Sequence, residues 1–211
     1  MTSRRNIYFS SLNEFPYFKK ELLSQFAEKF SITKNTLNSY IYKSLKDGEI
    51  LRLKRNYYVT RFFYEKNKTD TSYIFLLSNI LLEPSYISLE SALQYYGLFA
   101  EAVNYIVTSV TLKLPRVFKN RTGRYSYRKI NEKLFSDFQI IEDKFNFTIA
   151  RPYKAIFDYL YYHTNCFTKN VHEDLLEELR IDTNSILQDE KKKLKTLIAK
   201  FTPIKIRLGT Y

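Results

Sequence analysis

Residues 33–60 constrain this chain more than any other feature of its sequence. Thr33 is a side chain that caps a helix N-terminus. Leu37, Ile41 and Leu45 follow it at four-residue spacing, and Asp47-Gly48 supplies the left-handed stop. Next, Ile50-Leu51-Arg52-Leu53-Lys54 alternates apolar with basic residues, Arg55-Asn56 can turn, and Tyr57-Tyr58-Val59-Thr60 reads as a second strand. Upstream, Leu22, Leu23, Phe26 and Phe30 recur at helical spacing after Pro16, whose fixed φ suits a first helical position. Helix, short turn, helix, basic ribbon is the order of a winged helix-turn-helix, and the pattern predicts that fold for residues 1–66.

A helix that enters the major groove of DNA must present small polar or cationic side chains near its N-terminus, because bulky ones hold it off the base edges. Lys34, Asn35, Thr36, Asn38, Ser39 and Lys43 meet that demand on the polar face of the second helix. In the ribbon, Arg52, Lys54 and Arg55 are placed to meet phosphates or the minor groove. The charge balance points the same way: 34 Lys+Arg against 22 Asp+Glu leave a net +12, which favours a polyanionic partner. Residues 1–66 hold 13 basic and 6 acidic side chains, and the remainder 21 and 16, so the first third is the more basic per residue. The expected partner is double-stranded DNA.

Other classes fare worse. With one cysteine, Cys166, the chain can build neither a disulfide framework nor a multi-thiolate zinc site, and a reducing cytoplasm is the expected location. No apolar run long enough to span a bilayer occurs, and the start lacks the apolar core of a signal peptide, so no membrane partner is expected. There is no phosphate-cradling glycine loop, no Gly-x-Ser-x-Gly, no His-Glu-x-x-His, and glycine occurs only four times. His163, Cys166 and His172 are three possible ligands without a fourth. The expectation is a protein that is no enzyme and uses no cofactor or metal.

The polar run 65–70 interrupts the apolar pattern and predicts a boundary, with a second domain over residues 67–211. There, 72–82 reads as a buried helix. Ser88 can cap a second helix that carries Leu89, Ala92, Leu93 and Tyr96 as a core stripe and ends at Gly97. Strand character follows over 105–114, 125–127, 138–141 and 145–149, with a turn at Asn120-Arg121-Thr122-Gly123. Pro152 opens a further helix in which Lys154 and Asp158 stand four apart and can pair, a structural contact worth about a few tenths of a kcal/mol if exposed. Two helices close the chain, one with Leu175, Leu176 and Leu179, the other with Leu187, Leu194, Leu197, Ile198 and Phe201. The fold class is therefore α+β: a winged helix-turn-helix followed by a mixed α/β domain ending in helices.

Two charged segments stand out in this second part. Lys113, Arg116, Lys119, Arg121, Arg124 and Arg128, with Lys129 and Lys133, form a second basic patch against the single acid Glu132. It either extends a nucleic-acid surface, meets an acidic partner or is a solvated hairpin. Residues 170–190 carry seven acids and one base, a solvated helix or a face for a basic partner.

The order of these elements, with Tyr86-Ile87-Ser88-Leu89-Glu90-Ser91-Ala92-Leu93 and Tyr96-Gly97-Leu98, resembles the AbiEi-type antitoxins of bacterial abortive-infection systems over nearly the whole chain. The ribbon Leu51-Arg52-Leu53-Lys54-Arg55-Asn56-Tyr57-Tyr58-Val59 is similar to that family's Arg-Gly-Leu-Tyr-type wing, with Asn56 and Tyr57 where Gly and Leu are common. Ala150, Pro152, Lys154, Ala155 and Asp158 match its Ala-x-Pro-Glu-Lys-Ala-Leu-x-Asp motif, with Ile156 for the Leu and Tyr153 for the Glu. The resemblance implies a type IV antitoxin for phage defence. It would repress its own operon by binding promoter inverted repeats and oppose a nucleotidyltransferase-like toxin without requiring a stable complex. A solitary winged-helix regulator, or an RNA-binding protein with no toxin, is the competing reading.

Overall fold

The computed structural model describes residues 4–99, 106–165, 175–182 and 185–201. They form an α+β structure with helices at the N-terminal end and a helix at the C-terminal end. Two compact units divide it: Met1–Leu77 together with Lys119–Gly123, and Ser78–Phe118 together with Arg124–Tyr211. The division thus falls at 77/78, where the sequence pattern pointed to 66/67.

In the first unit the order is α1 (Arg4–Ser10), β1 (Phe18–Lys19), α2 (Lys20–Lys29), α3 (Lys34–Asp47), β2 (Ile50–Lys54), β3 (Tyr57–Thr60), α4 (Arg61–Asn67) and the start of α5 (Thr71–Leu81). The three strands form an antiparallel sheet in the order β1-β3-β2, with Phe18 and Arg52 both opposite Tyr58. Asn56 turns β2 into β3 at φ 66°, a left-handed conformation that Asn tolerates better than most side chains. Apolar stripes from α1, α2, α3 and the sheet meet in one core of Tyr8, Leu12, Phe18, Leu23, Leu37, Ile41 and Ile50. The Tyr8 hydroxyl, buried there, donates to the Leu23 carbonyl at 2.5 Å.

Pro16 does not open a helix as its sequence context suggested. It precedes β1, its carbonyl accepts from the Tyr73 hydroxyl at 2.8 Å, and α2 starts only at Lys20. The segment between is drawn into extended pairing with β3 because Phe18 gains a buried place there. The polar run 65–70, read from the sequence as a boundary, lies inside the first unit. Thr60 caps α4 by accepting from the Phe63 amide at 3.2 Å, and Asp70 accepts from the Ser72 amide at 3.0 Å as α5 begins. The polarity of this run comes from two abutting helix ends.

The second unit is built on a mixed sheet which, among the described residues, has six strands: β4 (Ser85–Ile87), β5 (Ile106–Thr111), β6 (Arg116–Asn120), β7 (Gly123–Lys129), β8 (Phe138–Ile141) and β9 (Phe147–Ala150), ordered β6-β7-β5-β4-β9-β8. Antiparallel β4·β5 and β8·β9 pairs are joined by a parallel β4·β9 contact, and β5 runs parallel to β7 in the register Ser109↔Tyr127. Helix α6 (Glu90–Tyr95) follows β4, and α7 (Pro152–His163) packs on α6, β9 and α9 (Gln188–Phe201), with α8 (Leu175–Glu178) a single turn between. Leu187, expected in the apolar stripe of the last helix, precedes it and is exposed, whereas Leu194 and Ile198 are buried.

Candidate nucleic-acid interface

Local chemistry sets the orientation of α3. Thr33 accepts from the Thr36 amide at 3.3 Å, and Gly48 closes the helix at φ 74° with its amide bonded to the Ser44 carbonyl. Leu37, Ile41 and Ser44 are buried on one side. Asn35, Thr36, Asn38, Ser39 and Lys43 lie off that side and Lys34 stands in the first turn, in line with Leu37 and Ile41; all six predicted side chains are exposed. Thr36 is partly committed, because its hydroxyl lies 2.9 Å from that of Thr33.

Pleating divides the ribbon in the same way: Leu51 and Leu53 point into the core while Arg52 is exposed, and Arg55 is exposed at the turn. Lys54 is half-buried, with its ammonium 4.1 Å from the centre of the Tyr57 ring; Lys19 approaches the same ring at 5.3 Å, and Tyr17 stacks on it at 6.2 Å. This ribbon cation is held by an aromatic face.

The electrostatics of this surface are lopsided. Asp47 and Glu49, the acids at the end of α3 and the start of the ribbon, are both held by Arg5 of α1, at 2.7 and 2.9 Å. Glu49 also accepts from the Ser44 hydroxyl at 2.6 Å. Among the described residues, Lys34, Lys43, Lys46, Arg52 and Arg55 form no ion pair. Arg5 thus offsets one of the two negative charges, while those five cations have no acid partner among the described residues.

The second basic patch is divided between the units. Lys119 and Arg121 belong to the first, and Lys113, Arg116, Arg124 and Arg128 to the second; all six are exposed. Arg116 lies over the Phe118 ring at 5.7 Å and Arg128 over the Tyr162 ring at 5.3 Å.

Lys154 and Asp158 do pair, and they are not exposed. Both side chains are fully buried; the Lys154 ammonium donates to Asp158 Oδ1, while Asp158 Oδ2 accepts from Tyr86 at 3.0 Å and Ser88 at 2.8 Å. Burial raises the Asp158 carboxyl above the ordinary carboxylate range despite its cationic partner, and burial together with the Asp158 charge pushes the Tyr86 phenol far up. Ser88 consequently does not cap α6. Its hydroxyl serves Asp158, and the N-cap is Leu89, at φ 59° and without a side-chain bond. With Tyr86, Ser88, Lys154 and Asp158 all at 0% exposure, this constellation joins α7 to β4 and has no open face for a substrate.

Tyr153 donates its hydroxyl to Asp137 at 2.5 Å and its amide to Glu190 at 3.2 Å, so one acid of the 170–190 segment sits at the N-terminus of α7. Cys166, His172, Glu173 and Asp174 lie outside the described residues, and His163 Nδ1 lies 2.9 Å from the Tyr159 carbonyl oxygen. Among the described residues no cluster of three acidic, His or Cys side chains stands ready for a metal, and no helix is long and apolar enough to cross a membrane.

Compared with known proteins, the chain matches no family model and no curated sequence. The geometry therefore carries the functional argument. It adds Arg5, which pairs with the two acids beside α3, and β1, which extends the sheet. Neither has a local sequence signal, since a two-residue strand and a long-range ion pair exist only through their partners.

Proposed function

We propose that the first unit is a winged helix-turn-helix that binds duplex DNA, α3 reading bases in the major groove and the β2–β3 ribbon contacting the backbone. The observation that carries this reading is the surface of α3 and the ribbon: exposed small polar groups, and Lys34, Lys43, Lys46, Arg52 and Arg55 with no acid partner among the described residues, beside two carboxylates already bound by Arg5. The helix, strand, helix, helix, ribbon order and the β1-β3-β2 sheet support it. The cellular role proposed with it is that of an AbiEi-type antitoxin that represses its own operon through inverted repeats and counteracts a nucleotidyltransferase-like toxin. That part rests on the motif resemblance alone.

Gel shifts of the full chain on the promoter of its own operon test the DNA reading. Replacing Lys34, Asn35 and Asn38 should relax operator choice, and replacing Arg52 and Arg55 should weaken binding to all sequences about equally. Equal losses from both sets would overturn the assignment of α3 as the reading element. For the antitoxin role, coexpression of the full chain with the product of the neighbouring gene should restore growth, and a chain altered at Lys34, Asn35 and Asn38 should still do so. Failure of the unaltered chain to rescue would leave the solitary regulator as the better account.

A further inference from the structure

A duplex held by a helix in one groove and a ribbon in the next must pass the sugar–phosphate strand separating those grooves between the two elements. In the first unit that space is a groove of about 590 Å³, lined on the α3 side by Tyr42 and Lys46, on the β2 side by Arg52, and by Asn120 and Arg121 from the segment Lys119–Gly123. The last two lie 60 and 61 residues beyond the end of the ribbon in sequence.

Arg121 is carried on a fixed turn. The Asn120 side-chain amide donates to the Leu53 carbonyl at 2.8 Å, and Asn120 Oδ1 accepts from the Thr122 amide and hydroxyl at 2.8 and 2.7 Å. Tyr64 donates to the Thr122 carbonyl at 3.3 Å. Thr122 is buried while Arg121 is exposed, so the backbone is anchored and the guanidinium is free. An Nη1 of Arg121 and one of Arg61 each stand 3.5 Å from the point where a Cβ on Gly48 would be. Two like charges thus converge there, and the only carboxylate paired with either among the described residues is Glu65, 4.0 Å from Arg61. Lys46, Arg52 and Arg121 pair with none among the described residues. Tyr42, 69% exposed, adds a hydroxyl donor on an aromatic wall.

From this convergence we infer that Arg121, with Lys46 and Arg52, forms a phosphate clamp for the backbone of duplex DNA, so that the footprint includes a turn remote in sequence from the helix and ribbon. A guanidinium on a rigid turn suits a phosphodiester because its planar fork offers two parallel donors to two oxygens of one phosphate. The inference rests on the reading of the first unit as a DNA-binding module.

The test uses the full chain and a fluorescein-labelled mixed-sequence DNA duplex, with anisotropy titrations over a series of salt concentrations. Arg121→Gln should weaken binding several-fold at low salt and reduce the steepness of the log–log salt dependence by about 0.9, the loss of one phosphate contact. Lys66→Gln, an equal charge change on an exposed residue of the first unit outside the groove, should leave that slope unchanged. Arg121→Lys should keep most of the slope with lower affinity, and thermal unfolding curves of all three variants should match that of the parent. Identical behaviour of Arg121→Gln and Lys66→Gln, with Lys34→Ala still weakening binding, would overturn the clamp and leave the DNA reading standing. No binding of the unaltered chain to any duplex, or preference for single-stranded RNA of the same sequence, would overturn both.

Discussion

Burial changes what individual side chains in this protein can do. Lys154 and Asp158 have the spacing of a weak surface pair, yet both are sealed beneath Tyr86 and Phe157, with the ammonium 5.6 and 5.2 Å from those rings. Removing one member leaves the other charged and unpaired, so Lys154→Met should destabilise the protein by about 3–5 kcal/mol in urea unfolding, while Lys154→Met combined with Asp158→Leu should recover part of the loss. An unchanged midpoint for the single variant would mean that the pair is not buried in solution. Two phenols offer a separate test: burial pushes both Tyr8 and Tyr96 up to about 12. Because an unfolded tyrosine ionises near about 10, their contribution to stability is whole below that pH and is lost as pH rises through about 12. Absorbance titration at alkaline pH should show these phenols ionising only as the fold is lost. On the acid side, burial alone would raise Asp137, but hydrogen bonds from Ser136 and Tyr153 and the charges of Lys154 and Arg151 hold it below the usual range. Its contribution persists at neutral pH and disappears as pH falls through the depressed value, so Asp137→Asn should flatten the acid limb of the stability profile.

Among the elements, α3 shows which parts of the structure the sequence makes legible. Its cap and stop are local devices, Thr33 bonding three residues ahead and Gly48 adopting φ 74°, and both are visible in the order of residues. Thr33→Ala should therefore cost about 1 kcal/mol, and Gly48→Ala about the same through its left-handed backbone, both read from unfolding midpoints. The strands of the ribbon were equally readable, because alternation of Leu51, Arg52 and Leu53 is itself the burial pattern. Elements defined by distant partners were not. Strand β1 is two residues long and exists because Phe18 and Lys19 pair with Tyr58 and Tyr57, so Pro16 before it read as a helix start. Ser88 had the right residue type for a cap, and only the fold shows Asp158 taking its hydroxyl. The candidate interface followed the same division: the exposed side chains of α3 were visible from helical period alone. The segment carrying Arg121 entered the first unit through the bond from Asn120 to Leu53, for which adjacent residues give no sign.

For the whole molecule, the net charge of +12 matters less than where its counter-charges are spent. If the α3 and ribbon cations neutralise about four to six phosphates, duplex affinity should fall with a log–log salt slope of about −4 to −5. Arg5 tempers that field from outside the proposed contact surface, since from helix α1 it pairs with both Asp47 and Glu49 and offsets one of their two charges, its side chain only 17% exposed. Arg5→Met would release two carboxylates beside the C-terminal end of α3, where a helix already carries partial negative charge, and both would act on an approaching polyanion. Duplex affinity should then drop by roughly threefold to tenfold at low ionic strength, with the loss shrinking as the Debye length contracts from about 30 Å at 0.01 M salt to about 8 Å at 0.15 M. The same variant also loses two ion pairs, so a lowered unfolding midpoint alone would not separate an electrostatic effect from a loosened α3. Adding Asp47→Asn and Glu49→Gln to Arg5→Met removes the released charges without rebuilding the ion pairs. Recovery of duplex affinity in that triple variant, with the midpoint still low, identifies the field as the cause. If affinity stays low with both carboxylates gone, Arg5 acts by holding α1 against the end of α3, and its effect on binding is one of position.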